Sequence, residues 1–450
     1  MISGPVAVGC GHDSLRRSPC AVQQFDTVWQ MPEITDHIPA PPRRLGLVVV
    51  VGALAMAAII GFALTRNEPP GRTAGPIRVS GWAPYWQTDS SLASFKTNAA
   101  MFSDVSLFAW STVAADNIRT ETVDPRAIRS FATAAAQARV PFIATIFDGM
   151  QKGELAAVLA DPSSRALHIN TLVQFVVDGG FGGIDLDYEQ FAFADGYDSW
   201  ATTRPNWVAF ITELAPRLHA EGKLLIVSAP PMYDKARTDE SGYWVYDFEA
   251  IAPFIDSLRL MAYDFSTSEP GPIAPISWVA KVVSAARTMV PDKKIMLGVP
   301  VYGYSWVTGV TGTCPADQEP RRRNLSIRTA TQLATEPGVV STPQLQQSER
   351  TLAYTEVLNG FDAAGTAVSC SVSRLAWYPD QQGVFDRVAL AERENLAGVA
   401  LWALGYDSEQ AWDAIVAAGT KTTLAPATSA LPTASSVPPS ASTSTMTPAG

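Results

Sequence analysis

The stretch FGGIDLDYE at positions 181–189 sets three carboxylates at alternate positions, Asp185, Asp187 and Glu189. Apolar residues separate them, and a period of two is the pattern of a β-strand. On a strand the three acids share one face, with neighbours about 6–7 Å apart. Carboxylates this close, in an apolar segment, are costly unless they are paired or put to use. Mutual repulsion is expected to raise at least one pKa, and a carboxylic acid that keeps its proton near neutral pH can act as a general acid. Two other readings fit the same residues: an acidic strand edge without chemistry, and a hard-cation site. Calcium usually takes its oxygens from a loop of Asp, Asn and carbonyl ligands, whereas this stretch alternates as a strand. Spacing alone favours catalysis and leaves the other two open.

The elements needed to position these acids follow from the rest of the pattern. Strands are expected at 77–82, 104–110, 140–147, across the acidic stretch, and at 224–229, 257–263, 294–301 and 398–404. Helices are expected at 125–139, at 163–178 before Gly179 and Gly180, at 204–220 with Pro205 in its first turn, and at 408–418; Gly after a helix and Pro at its start suit the caps. Eight strands separated by helices predict an α/β fold, a (β/α)8 TIM barrel. An open doubly wound sheet is the alternative, but no G-x-G-x-x-G opens a helix here. The interval between strands seven and eight is too long for one crossover, so residues 305–376 are expected to form an inserted subdomain. It holds Cys314 and Cys370, read as a disulfide that would close a long loop outside the cell; two unrelated free cysteines are the alternative.

In such a barrel the chemistry lies at the C-terminal ends of the strands. Glu189, the run Met261, Ala262, Tyr263 and Asp264, the pair Tyr302 and Tyr304, Trp402, and the group Trp82, Tyr85 and Trp86 all fall there. Aromatic rings stack on the apolar faces of sugars. Singly, each ring is better read as core packing; collected at strand ends, they favour a carbohydrate site.

The run GIDLDYE at 183–189 resembles the active-site signature of glycoside hydrolase family 18, the chitinase-like family, whose four acids are spaced D-x-x-D-x-D-x-E. The last three are present, and Gly182 stands where the first acid is usual. MAYD at 261–264, GVPVYG at 298–303 and LWALG at 401–405 resemble the family's sixth, seventh and eighth strands, and the insertion falls where the family often carries one. GWAPYW at 81–86 is similar to the bacterial spore-cortex and cell-wall members. The third strand, PFIATIF at 141–147, lacks the family's S-x-G-G. The resemblance spans residues 77–419 and implies a retaining, substrate-assisted hydrolysis of β-linked N-acetylglucosamine chains, chitin-like or peptidoglycan, in which the substrate supplies the nucleophile. It implies Glu189 as acid and then base, Asp187 as the group that holds the N-acetyl moiety, and Asp185 as its proton-sharing neighbour. Tyr263 would hydrogen-bond the acetamido group, and Asp264 would support the site. Met261, Tyr302, Trp82 and Tyr85 are candidates for binding substrate, with Trp402 as the floor of the subsite. A non-catalytic sugar-binding surface protein is the alternative, disfavoured because lectin-like members usually lose the terminal Glu.

Composition limits the partners. A net charge of −10 argues against nucleic acid. Four histidines and four cysteines, without H-E-x-x-H or Cys-x-x-Cys, spell no zinc site, and no cofactor is expected. Residues 1–44 lack periodicity and read as a disordered cytoplasmic tail, with Cys10 and Cys20 as free thiols. Residues 45–64 carry no charge and match a bilayer in length as a helix. Arg43 and Arg44 precede this run, which places the N-terminus in the cytoplasm and the main domain outside. A cleaved signal peptide and a buried helix are the other readings. Residues 65–76 are a Pro/Gly linker, 77–419 the folded domain and 420–450 a disordered Pro/Ser/Thr-rich tail. The expected protein is a monomer, a single-pass membrane protein with its domain at the cell surface.

Overall fold

The structure, a computed structural model, describes residues 77–420. The expected tail, transmembrane segment and linker before residue 77, and most of the expected C-terminal tail, lie outside the described residues. Among the described residues no helix is long and apolar enough to cross a membrane.

Eight strands close a parallel barrel: β1 (Val79–Pro84), β2 (Val105–Ala114), β4 (Phe142–Asp148), β5 (Gly183–Asp187), β6 (Leu224–Ala229), β7 (Ser257–Leu260), β8 (Ile295–Pro300) and β14 (Gly398–Trp402). Closure runs through β1, which pairs in parallel with both β14 and β2. All residues of β1, β4, β5, β8 and β14 are buried. That is why these segments read as apolar runs: parallel strands are covered on both faces, inside by the barrel core and outside by helices.

Several boundaries differ from the sequence expectation. Strand β2 continues to Ala114 and turns into the antiparallel β3 (Asn117–Thr120), a hairpin that the sequence reading had not included. The helix placed at 204–220 begins at Tyr197, so Pro205 lies inside it rather than in its first turn. Packing outweighs the cost of an internal proline: buried Trp200 hydrogen-bonds the Ala192 carbonyl at 3.0 Å and packs against the Tyr243 and Trp244 rings.

The insertion is wider than 305–376. It starts as β9 (Tyr302–Gly312), immediately after β8, and continues through β10 (Arg323–Ser326), β11 (Val340–Gln344), β12 (Glu349–Phe361) and β13 (Ala367–Tyr378). These form an antiparallel sheet in the order β10-β9-β13-β12-β11. Cys314 and Cys370 are bonded, across a sequence separation of 56. Replacing both by Ser is expected to destabilise the insertion by about 2–4 kcal/mol, from the loop closure they impose. Hydrogen exchange should show faster opening of β9 and β13, with the barrel strands unaffected.

Candidate active site

Strand β5 carries the acids up the barrel interior. Asp185 is fully buried, and Asp187 and Glu189 are 4 % and 8 % exposed. The strand ends at Asp187, and Glu189 stands at the head of the short helix Gln190–Phe193 without a side-chain capping bond. Tyr188, between them, faces outward; its hydroxyl meets His168 Nε2 at 2.9 Å, while its carbonyl accepts from the Tyr246 hydroxyl at 2.6 Å. Those two bonds hold the turn that presents Glu189. Gly183 allows β6 to approach, since a Cβ there would stand 2.5 Å from the Leu224 carbonyl oxygen.

Both upper acids hold protons more tightly than free carboxyls. Asp187 is raised well above the usual range, first by burial and then by the charges of Glu189 and Asp185, with Arg259 acting the other way. Glu189 is pushed up to about 8, by burial above all, with the Asp264 charge adding to it. The two carboxyls hydrogen-bond each other. Repulsion among the acids was the expected cause, but removal from water is the larger one. One oxygen of this pair, Asp187 Oδ1, is buried without a hydrogen-bond partner among the described residues.

Asp185 is surrounded by donors. Ser228 donates to Oδ1 at 2.7 Å; Trp82 Nε1, Thr145 Oγ1 and Arg259 Nη1 donate to Oδ2 at 2.7, 2.9 and 2.7 Å. Thr145 thus brings the third barrel strand, β4, into contact with Asp185. Gly182 is not part of this cluster, because a Cβ there would point at Pro141, 3.0 Å from its Cβ.

The run after β7 closes the far side. The Tyr263 ring lies over Gly298 of β8, where a Cβ would come within 2.9 Å of it. Burial and the neighbouring carboxylates raise the Tyr263 phenol well above its ordinary value, so it stays a donor. Asp264 adopts φ 59°, and accepts from Tyr304 at 2.7 Å and from Tyr302. Both tyrosines come from β9, so the insertion's first strand holds Asp264 in place, and Tyr302, only 3 % exposed, supports the site rather than presenting a face to ligand.

Trp402 ends β14, boxed by Trp82, Phe108 and Trp86 with ring centroids 5.7, 5.3 and 6.5 Å away. Trp82 was expected among the substrate-binding rings, but it lies inside β1 at 1 % exposure, with its N–H spent on Asp185. A ring this buried cannot stack on a sugar; it braces the acid and Trp402. Met261 is also buried, at 9 % exposure. Tyr85 is half-buried and packs edge-on to Trp86 at 4.8 Å.

Four participants were absent from the sequence reading: Arg259, Asp104, Thr145 and Ser228. Arg259 did leave a signal, a lone charge in the otherwise apolar run LRLMA, on the same strand face as Met261 and Tyr263. Tyr243, in the loop after β6, is a fifth: burial and the charge of Glu189 raise its phenol above its ordinary value, so it too remains a donor.

Comparison with known proteins agrees with this geometry. The profile of the glycosyl hydrolases family 18 matches residues 79–407. The putative sporulation-specific glycosylase YdhD of Bacillus subtilis is 31% identical over 213 residues, covering 46% of this chain and 47% of that protein. The cortical fragment-lytic enzyme of the same organism is 25% identical over 262 residues, covering 57% of this chain and 54% of its own length. The chain thus spans about half the length of these curated relatives. Among solved structures, a chitinase from Chromobacterium violaceum superposes with a TM-score of 0.62 at 24% identity, over 77% of this chain and 100% of that one, a likeness of fold.

Proposed function

The chain belongs to the glycosyl hydrolases of family 18 and is a glycoside hydrolase, and from that premise we propose that it cleaves β-linked N-acetylglucosamine glycans with retention, the substrate's own acetamido group acting as nucleophile. The observation that carries this reading is the buried Asp187–Glu189 carboxyl pair at the end of β5. Glu189, protonated at neutral pH, gives its proton to the glycosidic oxygen. Asp187 accepts the acetamido N–H and steadies the charge that develops as the acetamido oxygen attacks the anomeric carbon. Tyr263 donates to that acetamido group from the opposite side. Glu189, now ionised, takes a proton from the water that opens the cyclic intermediate. No separate nucleophile is needed, in keeping with the family's exception to the two-carboxylate scheme.

The polymer is a chitin-like chain or the glycan of peptidoglycan; relatives are named for both chitinase activity and cortex lysis. The site of action in this reading is the cell surface, with the uncharged run 45–64 behind Arg43 and Arg44 as a membrane anchor. Incubating the purified protein with a fluorogenic N,N′-diacetylchitobioside and, separately, with peptidoglycan tests the reading. Release from the first alone makes it a chitinase-type enzyme; new reducing N-acetylglucosamine ends from the second alone make it a wall-remodelling glucosaminidase. Sugar binding without release from either would replace hydrolysis by carbohydrate binding.

A further inference from the structure

Beneath the reacting acids lies a buried charge chain that the family signature does not contain. Arg259, on β7, points into the barrel at 1 % exposure. Its Nη1 donates to Asp185 Oδ2 at 2.7 Å; its Nη2 donates to Ser80 Oγ at 2.6 Å and to Asp104 Oδ1. Asp104, just before β2, is itself held by Ser80 and Ser103 at 2.6 and 2.8 Å. The guanidinium lies 4.8 Å from the centre of the Trp82 ring, whose N–H binds the same Asp185 oxygen. A buried ion pair is seldom the cheapest way to fill a core, because apolar residues of similar volume often do as well. An arginine joined to two carboxylates directly below the acid pair calls for another reason.

That reason lies in what Asp185 can do. Two of the partners of Asp185, the Trp82 N–H and the Arg259 guanidinium, can only donate, and both meet Oδ2, the setting of an accepting carboxylate; the Ser228 and Thr145 hydroxyls complete its shell. Asp187, next up on the same face, bonds to Glu189 instead. We infer that Arg259 is a positioning residue of the hydrolytic reaction, which fixes Asp185 as an anion through the Asp104–Arg259 chain and so confines the working proton to Asp187 and Glu189. Proton sharing between Asp185 and Asp187, implied by the resemblance, is thereby replaced by a fixed charge. This inference rests on the proposed roles of Asp187 and Glu189.

The groups around the acids come from several walls of the barrel. Trp82 on β1, Thr145 on β4, Ser228 on β6 and Arg259 on β7 bond Asp185, and Ser80 and Asp104 bond Arg259 in turn. Tyr243 and Tyr246 in the loop after β6, and Tyr263 and Asp264 after β7, act on the acid pair itself, with Asp148 of β4 acting on Tyr246. Arg259 is the one cation acting on Asp187 in this set, and it favours the ionised form. Removing it leaves the carboxyls to repel one another, and an opposite charge at such range is worth about one pKa unit or more.

The test is the pH profile of kcat/KM on a 2-acetamido substrate. Arg259→Met is expected to move the profile upward by about one pH unit, and Arg259→Lys to restore most of it. Asp104→Asn frees more of the guanidinium's field for Asp185 and is expected to shift the profile in the opposite direction, to lower pH. Opposite signs from two residues that do not meet substrate are not produced by loss of packing, and Asp104→Asn keeps the test decisive where Arg259→Met fails to fold. A profile unmoved by Asp104→Asn, or moved upward, overturns the inference, as does a folded Arg259→Met with reduced turnover and unshifted limbs. Titrating the aspartate carboxyl carbons by 13C NMR reads the same protonation without turnover. A wild-type protein silent on every substrate would sink the proposed function, while an Asp187 titration shifted between wild type and Asp104→Asn would still uphold the charge chain.

Discussion

Glu189→Gln is expected to lower kcat on a 2-acetamido substrate by about 100- to 10,000-fold, the range that a positioned general acid–base supplies, with KM nearly unchanged. The amide keeps the shape of the side chain and its place against Asp187, so substrate should still bind; only the transferable proton is gone. The pH dependence follows from the same group. An ordinary Glu, at 4.5, would be ionised at neutral pH and useless as an acid, whereas Glu189 is pushed up to about 8. It is therefore protonated below that value and loses its proton above it. The alkaline limb of kcat/KM should fall near pH 8, and Glu189→Gln should abolish that limb together with the activity. Steady-state kinetics across pH 5 to about 10 on both proteins checks this. A variant with unchanged turnover removes Glu189 from the mechanism; unchanged turnover together with an intact alkaline limb would assign the limb to another group.

The acids themselves were legible because a strand's period of two shows in one short segment. Asp185, Asp187 and Glu189 could be placed on one face without knowing what surrounds them, and the runs 261–264 and 401–405 marked other strand ends. What surrounds the acids could not be read. The four donors on Asp185 come from β1, β4, β6 and β7, brought together only when the barrel closes. Trp82 shows the same limit from the other side. Its position at the end of a strand and its aromatic type suited a sugar-binding surface equally well, and only burial decides that it is a brace. Arg259 was the readable exception, since a lone charge in an apolar strand must find a buried partner. Its partners, Asp185 and Asp104, lie 74 and 155 positions away in sequence, so the pairing was invisible although the need for one was not. The internal Pro205 failed for a related reason: local propensity favoured a helix start there, and the aromatic packing of Trp200 extended the helix through it.

Asp187→Asn separates a reactive group from a merely structural one by moving activity and stability in opposite directions. The substitution removes the negative charge that faces the developing positive charge of the cyclic intermediate, and kcat should drop by about 100- to 1,000-fold, the usual cost of losing one preorganised electrostatic partner. Stability should rise. The folded-state pKa of Asp187 lies well above 3.8 because burial and the neighbouring carboxylates penalise its charge. Below pH 3.8 the side chain is protonated whether the chain is folded or not, so it costs nothing there. As pH rises past that value the unfolded chain ionises freely, whereas the folded one ionises only against burial and its neighbouring carboxylates, and stability falls with pH. Asparagine cannot ionise, so it escapes this penalty at neutral and alkaline pH and gains nothing at low pH. Thermal unfolding followed from pH 3 to about 9 should therefore show two curves that meet at the acid end and diverge upward for Asp187→Asn. A residue kept only for packing would give the reverse, an asparagine variant that is less stable at every pH and still turns over. The carboxylate at 187 is then a group the fold would be more stable without, and the proposed role at an acetamido sugar accounts for its presence.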